Sequence, residues 1–285
     1  MKRFFQPMTK ASQGGVALIA VLWLVSAMGL IVTGVVQAVR SEARTVGVQR
    51  QVVTGSALGD AAILLALQNQ NALAAEPLAA IQRIPVQFEG VAYSVEVWPM
   101  NGLIDLNNAP LLLLADMYRF GGELSADASR AMAQSTLDTR QQKDATGVIE
   151  RFDAKEDLLR VPGMTYDLYA KVHSLVTAEL KEGSGRVNAL AAPSGVLRIL
   201  SGGNVDRAAV LESRRNTDPS AMDTTFLQPE HFAMVPSRSL LFQVQIELPD
   251  GSALVRSWHV YRGEDPRSGL PWRVLAKEHS MKLPA

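Results

Sequence analysis

The chain has 285 residues, 28 Lys plus Arg against 28 Asp plus Glu, 47% apolar side chains and no cysteine; its mean hydropathy lies just above zero. The missing cysteines exclude a disulfide framework, thiolate chemistry and every sulfur-ligated zinc or iron–sulfur site. The balanced charge withholds the global basic excess that binding to a phosphate backbone needs, and the length accommodates one or two compact domains.

The charge is not evenly spread. Residues 1–15 carry Lys2, Arg3 and Lys10 with no acid, and Val16 to Val39 follow as 24 uncharged residues. A bilayer-spanning helix needs about 20 such residues, more than a soluble core helix usually demands. The run predicts a single membrane pass, with the basic head in the cytoplasm and the remainder translocated. A cleavable signal peptide fits less well, because its apolar region is shorter and closes on a small-residue site, whereas this run leads into Arg40, Ser41 and Glu42. Taking the three leader bases from 28 leaves 25 basic against 28 acidic residues from Arg40 onward, a net of −3 on the translocated side.

From Arg40 to about Asn71 the pattern stays helical, with Val53, Ala57, Ala61 and Leu65 four apart and no proline. Gly47, Gly55 and Gly59 each weaken that helix by roughly 1 kcal/mol against alanine. Strand signals follow: Val86 to Phe88 and Val91 to Trp98 flank Glu89-Gly90, and Leu240 to Leu248 and Ala253 to Arg262 flank Pro249-Asp250-Gly251. Both read as hairpins, and Trp272 to Ala276 predicts one further strand. Between the hairpins the chain is mostly helical in character.

Two segments in this middle region match at a shift of 83 residues: Gly102 to Pro110, with Asn107, and Gly185 to Pro193, with Asn188. Each predicts a short strand, an Asx residue bonding nearby backbone, and a helix opened by its proline (Pro110, Pro193). Between them Glu156-Asp157-Leu158-Leu159-Arg160-Val161-Pro162-Gly163-Met164-Thr165 makes a turn at Pro162 and Gly163, and Tyr166 to Leu180 predicts a helix. The plain reading of all three boxes is structural: they are junctions that position the middle region.

A glycine pair, Gly14-Gly15, between a basic head and an apolar run resembles the class III signal of type IV pilins and type II secretion pseudopilins. That resemblance implies cleavage by prepilin peptidase between Gly15 and Val16, with Val16 becoming an N-methylated terminus. Most of that superfamily carry a glutamate at the fifth mature position, where this chain has Ala20. A carboxylate in hydrocarbon is costly unless paired, so a subunit with no neighbour above it has no use for one. The missing glutamate and the order of the three boxes together resemble the minor pseudopilin K family of type II secretion.

The resemblance implies an α+β architecture in which a long N-terminal transmembrane helix packs on a small antiparallel sheet, a pilin fold, with a large inserted α-helical domain. Its expected division is a leader at 1–15, the transmembrane helix at 16–39, the helix's second half and first strands at 40–109, the insertion at 110–235 and the C-terminal strands at 236–285. It further implies an inner-membrane, single-pass protein with a periplasmic C-terminal domain. The implied partners are the minor pseudopilins I and J, prepilin peptidase and other inner-membrane secretion components, with no nucleic acid and no small-molecule substrate.

Two other functional classes fit the sequence less well. The Leu-x-x-Val-Pro-Gly turn also resembles the helix-hairpin-helix of membrane-anchored DNA-uptake receptors, but Thr165 stands at the second glycine position and a net of −3 steers a polyanion poorly. An enzyme finds little support: His173, His231, His259 and His279 form no metalloprotease pair, and neither a Gly-x-Ser-x-Gly elbow nor a phosphate-binding loop occurs. Calcium is the one cofactor carried forward, because oxygen-only coordination suits a cysteine-free chain. The acid-bearing loops at Asp218 to Asp223 and Glu264-Asp265 lack EF-hand spacing.

Overall fold

The structure, a computed structural model, describes residues 14–73, 77–143, 147–178, 180, 183–218, 222–278 and 280–283, with the side chains of 14–17 and 70–73 outside the description. The chain divides into two compact units, Met1–Thr54 and Gly55–Ala285. Helix α1 spans Gly14–Leu73. Within the first unit, every described α1 side chain from Leu18 to Arg50 is exposed. Residues 1–13, most of the expected leader, lie outside the described residues.

In the second unit, residues of α1 from Gly55 onward lie on one face of a six-stranded sheet. Its first five strands are β1 (Gln82–Phe88) and β2 (Val91–Pro99), then the pair that becomes β5 (Ser239–Glu247) and β6 (Ala253–Arg262), and β7 (Trp272–Lys277), ordered β1-β2-β5-β6-β7. A sixth, β8 (Met281–Leu283), also pairs with β6, and all contacts are antiparallel. The β1–β2 turn has positive φ at both Glu89 (52°) and Gly90 (79°), the backbone that matches the twist of a two-residue hairpin. Pro85 costs little because β1 is an edge strand.

Register sorts the sheet into two faces. Val97 pairs with Phe242 and Phe242 with Trp258, and Val95 pairs with Val244; all are buried. They meet Ala62, Ile63, Ala66 and Leu67 of α1, each at most 1% exposed. The apolar repeat Val53-Ala57-Ala61-Leu65 marks the helix correctly but not its buried face, since Val53 is 69% exposed. The docked face runs instead through Gly55, Gly59 and Ala62. At Gly59 a Cβ would stand 2.8 Å from the Arg256 Cβ, and at Gly55 one would stand 2.9 Å from a Leu248 methyl. Two of the three glycines that read as helix weaknesses, Gly55 and Gly59, are points of close approach to the sheet.

The chain leaves the sheet at Pro99 and returns at Ser239. The excursion holds β3 (Ile104–Asp105), α2 (Leu111–Asp116, continued by a π turn to Gly121), α3 (Ala126–Arg140), α4 (Tyr166–Val172), β4 (Val176–Thr177), α5 (Ser194–Leu200) and α6 (Val205–Thr217). Ser125, Thr165 and Asn204 cap α3, α4 and α6 by accepting a backbone N–H in the first turn. These elements enclose their own core, including Leu113, Met117, Tyr118, Leu158, Val172, Leu197 and Leu211. The buried Tyr118 hydroxyl bonds Thr136 at 2.8 Å, and burial pushes its pKa up to about 12.

The architecture expected from the sequence, α+β with a long N-terminal helix, a small antiparallel sheet and an inserted helical part, is the one observed. One helix expectation fails: Tyr166 to Leu180 is not continuous. Helix α4 stops at Val172, and Val176-Thr177 pairs in parallel with Ile104-Asp105. Two β-branched residues complete a ladder there, a tertiary contact that outweighs local helix propensity.

Candidate functional site

In the first unit the apolar segment of α1 presents Leu18, Trp23, Leu30 and Ile31 at 61% or more exposure, counting Ile19 as well. Its hydroxyls are turned inward on the helix: Ser26 Oγ donates to Leu22 O and Thr33 Oγ1 to Gly29 O, both at 2.8 Å. Every backbone group of a helix is satisfied internally, so such a segment meets the hydrocarbon requirement. Among the described residues this is the one helix long and apolar enough to cross a membrane. Ala20 lies exposed within it. Gly15 and Val16 fall in the first turn of α1, with only their backbone described.

In the second unit the three sequence boxes become hydrogen-bonded junctions. In the first, the buried Asp105 accepts the Asn107 N–H (2.9 Å) and the Asn108 amide (2.6 Å). Burial pushes the Asp105 carboxyl above its usual range, against the lowering effect of those bonds. Asn107 Nδ2 donates to Phe152 O (2.8 Å) and Ala178 O (3.2 Å), and its Oδ1 accepts the Phe152 N–H (3.0 Å). Arg140 closes the turn by donating to Leu106 O (3.1 Å) and Ala109 O (2.9 Å). One asparagine thus ties β3 to the loop before α4 and to the segment after β4.

The second box ties the excursion to the sheet. Asn188 is 1% exposed. Its Nδ2 faces Ala79 O (2.7 Å), Val235 O (3.3 Å) and Asn101 Oδ1 (3.3 Å), and its Oδ1 accepts the Leu190 N–H (3.1 Å). Its N–H donates to Asn101 O (2.7 Å), and Asn101 Nδ2 donates to Val235 O (2.7 Å). Entry to the excursion at Asn101, exit at Val235 and the segment after α1 therefore meet on one buried amide. Asn101 was not singled out from the sequence; an Asn-Gly after a strand was the available signal. Gly102 beside it admits no side chain, because a Cβ would stand 2.3 Å from Ala191 O.

Pro110 and Pro193 sit one residue earlier than expected. They are the extended cap residues, and their carbonyls accept the first helical bonds from Leu114 (3.1 Å) and Leu197 (2.9 Å). A fixed proline φ serves a cap as well as a first turn. In the middle box Pro162 and Gly163 are exposed, and Gly163 adopts φ +90°. The Thr165 hydroxyl is occupied as the α4 cap, accepting the Leu168 N–H at 3.2 Å. Asp157 Oδ2 accepts the N–H groups of Asp153 (2.7 Å) and Ala154 (3.1 Å). Asp153, Glu156, Asp157 and Asp167 flank this turn against Lys155, Arg160 and Lys171, a surface that does not attract a phosphate backbone.

Where the excursion overhangs the sheet there is a cleft of about 370 Å³, walled by Trp98, Leu241, Ala276, Val176, Ala191 and Pro193. At its rim Glu278 Oε1 stands 3.2 Å from His259 Nε2 and 3.6 Å from Lys155 Nζ. The His259 hydrogen bond, followed by the Lys155 charge, holds the Glu278 carboxyl below its usual range despite burial.

Among the described residues no three His, Asp or Glu side chains gather. The Asp223 and Asp265 carboxylates accept local bonds, from Thr225 and from Arg267 and Ser268. His231 is buried at 2% exposure, 3.8 Å from Asp116, and His279 lies outside the described residues.

No protein-family model matches the chain, and no curated protein matches it. Among solved structures the chain is similar to one described as the crystal structure of the GspK-GspI-GspJ complex from the enterotoxigenic Escherichia coli type 2 secretion system. The identity is 16%, the match covers 86% of this chain and 100% of that chain, and the TM-score is 0.48.

Proposed function

We propose that the chain is a minor pseudopilin of a type II secretion system, a non-enzymatic assembly subunit placed at the pseudopilus tip. The observation that carries the reading is topological. One apolar helix continues into a segment docked on a single antiparallel sheet, and a helical excursion with its own core interrupts that sheet between β2 and β5. The order of its three junction boxes behind a prepilin-type leader supports the same reading.

In this account prepilin peptidase cuts between Gly15 and Val16, and Val16 is methylated. The apolar helix anchors the subunit in the inner membrane, with Gly55–Ala285 in the periplasm. Subunits inside a helical filament are covered above and below, and an excursion of this bulk fits best where nothing is stacked on top. Ala20, lacking the carboxylate that a covered neighbour would meet, supports the same place. Partnership with the I and J minor pseudopilins would then nucleate or limit pseudopilus growth.

N-terminal mass spectrometry of membrane-extracted protein tests the first step. The expected terminus is a methylated Val16 in cells with prepilin peptidase and an uncut chain in cells without it. An uncut chain in both removes the pilin-type reading. Co-purification of the detergent-extracted chain with coexpressed I and J subunits tests the placement, and migration alone at micromolar concentration refutes it.

A further inference from the structure

Strands β7 and β8 share one edge of β6, β7 opposite Trp258–Arg262 and β8 opposite Ala253–Val255, so on that edge neither strand pairs with Arg256 or Ser257, whose other edge is paired to β5. Glu278 and Ser280 lie at this notch. The Glu278 N–H donates to Ser257 O (3.0 Å), and Arg256 Nη1 donates to Glu278 O (2.6 Å). The same guanidinium reaches α1 on one side of the sheet, where Nε and Nη2 donate to the Asp60 carboxylate at 2.5 and 3.2 Å. Trp258 Nε1 donates to that carboxylate at 2.9 Å, and Ser280 Oγ lies 2.8 Å from Ser56 Oγ of α1. On the other side of the sheet the Glu278 carboxylate faces His259 and Lys155, and Lys155 belongs to the excursion.

Two faces of one sheet are thus connected through three residues. Burial alone would raise the Asp60 carboxyl, yet its bonds to Arg256 and Trp258 hold it below its usual range, so it is a fixed anion at neutral pH. Around Asp60 the α1 face that meets the sheet carries Gly55, Gly59 and Ala62, with the larger Ile63 and Leu67 buried beyond them. Polar bonds at Asp60 and Ser56 therefore add to this packing in holding α1 on the sheet.

We propose that Glu278 is a coupling joint: what displaces the excursion at Lys155 is passed through Glu278 and Arg256 to Asp60, so that seating of the excursion and docking of α1 are energetically linked across the sheet. A partner pressing on the excursion thereby alters how firmly the helix is held. The coupling belongs to the fold and stands apart from the secretion reading, so either can fail alone.

Hydrogen exchange on the full chain in nonionic detergent tests it, comparing the unsubstituted protein with Lys155→Met, Asp60→Asn and a control, Arg83→Met. The control removes an ion pair with Glu96 (2.8 Å) between β1 and β2, in which neither residue bonds a described residue of α1. Lys155→Met is expected to raise amide exchange in residues 55–67 of α1 by about 5-fold, within the range for residues that share a network. Reciprocity requires Asp60→Asn to raise exchange in residues 153–160, and Arg83→Met should do neither. Exchange in 55–67 that stays within about twofold of the unsubstituted protein in Lys155→Met, where independent sites would leave it, overturns the proposal. So does an equal rise in the Arg83→Met control. If Asp60→Asn unfolds the sheet outright, the Lys155→Met comparison decides by itself.

Discussion

Gly59→Ala sets two effects of known size against each other. Helix propensity alone favours the substitution by about 1 kcal/mol, because glycine is the costlier residue in a helix interior. The new methyl, however, would meet Arg256 Cβ at 2.8 Å and Cγ at 3.1 Å. The Cβ is fixed by the β6 backbone, so that contact is relieved only by moving α1 away, while turning Arg256 relieves the contact with Cγ alone. Overpacking of this kind costs about 1–3 kcal/mol. Turning Arg256 also loosens charge-assisted bonds to Asp60, each contributing about 1.5–3 kcal/mol. The expected net is a destabilisation of about 1–3 kcal/mol, the cost terms outweighing the propensity gain. The assay is equilibrium urea unfolding of the full chain in nonionic detergent, followed by the fluorescence of Trp98, Trp258 and Trp272, which belong to the sheet. Two substitutions calibrate it. At Gly55 the neighbours are methyl ends of Leu248 and Leu254, which can swing aside, so Gly55→Ala should be near neutral. At Gly47 nothing lies within 4 Å, so Gly47→Ala should leave the sheet transition where it was. A Gly59→Ala protein stabilised by the full propensity gain would refute the close docking of α1 at this point.

Asn188→Ala removes a buried amide and strands the Ala79 carbonyl and Asn101 Oδ1, while Val235 O keeps its bond from Asn101 Nδ2. The expected loss is about 2–4 kcal/mol, since each buried acceptor left unmet costs about 1–3; a loss under about 0.5 kcal/mol, the size of an ordinary surface change, would show that the amide is not the tie described. Asp250 is held at about 2 by the Lys282 ammonium, then by the Ser252 hydroxyl and N–H. Its native pKa lies below the ordinary 3.8, so its contribution is complete above that value and is lost as pH falls through about 2. Exchange protection of β8 should fall over that window in the unsubstituted protein. Lys282→Met should move the loss to higher pH; an identical profile in both would refute the Lys282–Asp250 tie.

The parts of this fold that the sequence makes legible are those settled by neighbours in the chain. The 24-residue uncharged run needs no partner to be recognised as a long apolar helix. Glu89-Gly90 and Asp250-Gly251 announce their hairpins because positive φ at Gly90 (79°) and Gly251 (80°) is a local demand. The parts misread depend on contacts from far away. Val176-Thr177 leaves a helical pattern because Ile104-Asp105, some 70 residues earlier, offers a parallel edge. The buried face of α1 is set by where β5 and β6 come closest, which the spacing of Val53, Ala57, Ala61 and Leu65 does not encode. Strand β8 is three residues long, too short to carry a period.

The junction boxes fall between these cases, and the reason bears on how the excursion is attached. Their asparagines were visible as residues able to bond nearby backbone, and Asn188 does bond Leu190 locally. Their more consequential bonds go to main-chain carbonyls at Phe152, Ala178, Ala79 and Val235, atoms that every residue type supplies and that leave no trace in sequence. An ion pair at the same place would need a second charged residue, and burying both charges is often no better than packing apolar groups. A neutral amide meets two carbonyls and returns one acceptor without that desolvation cost. Attachment through amides thus holds the entry and exit strands together while leaving the apolar cores of sheet and excursion separate. The cleft between them follows from this arrangement: the two parts are tied at Asn188 on one side and at Glu278 on the other, and the space between the ties is where the sheet face and the excursion do not close.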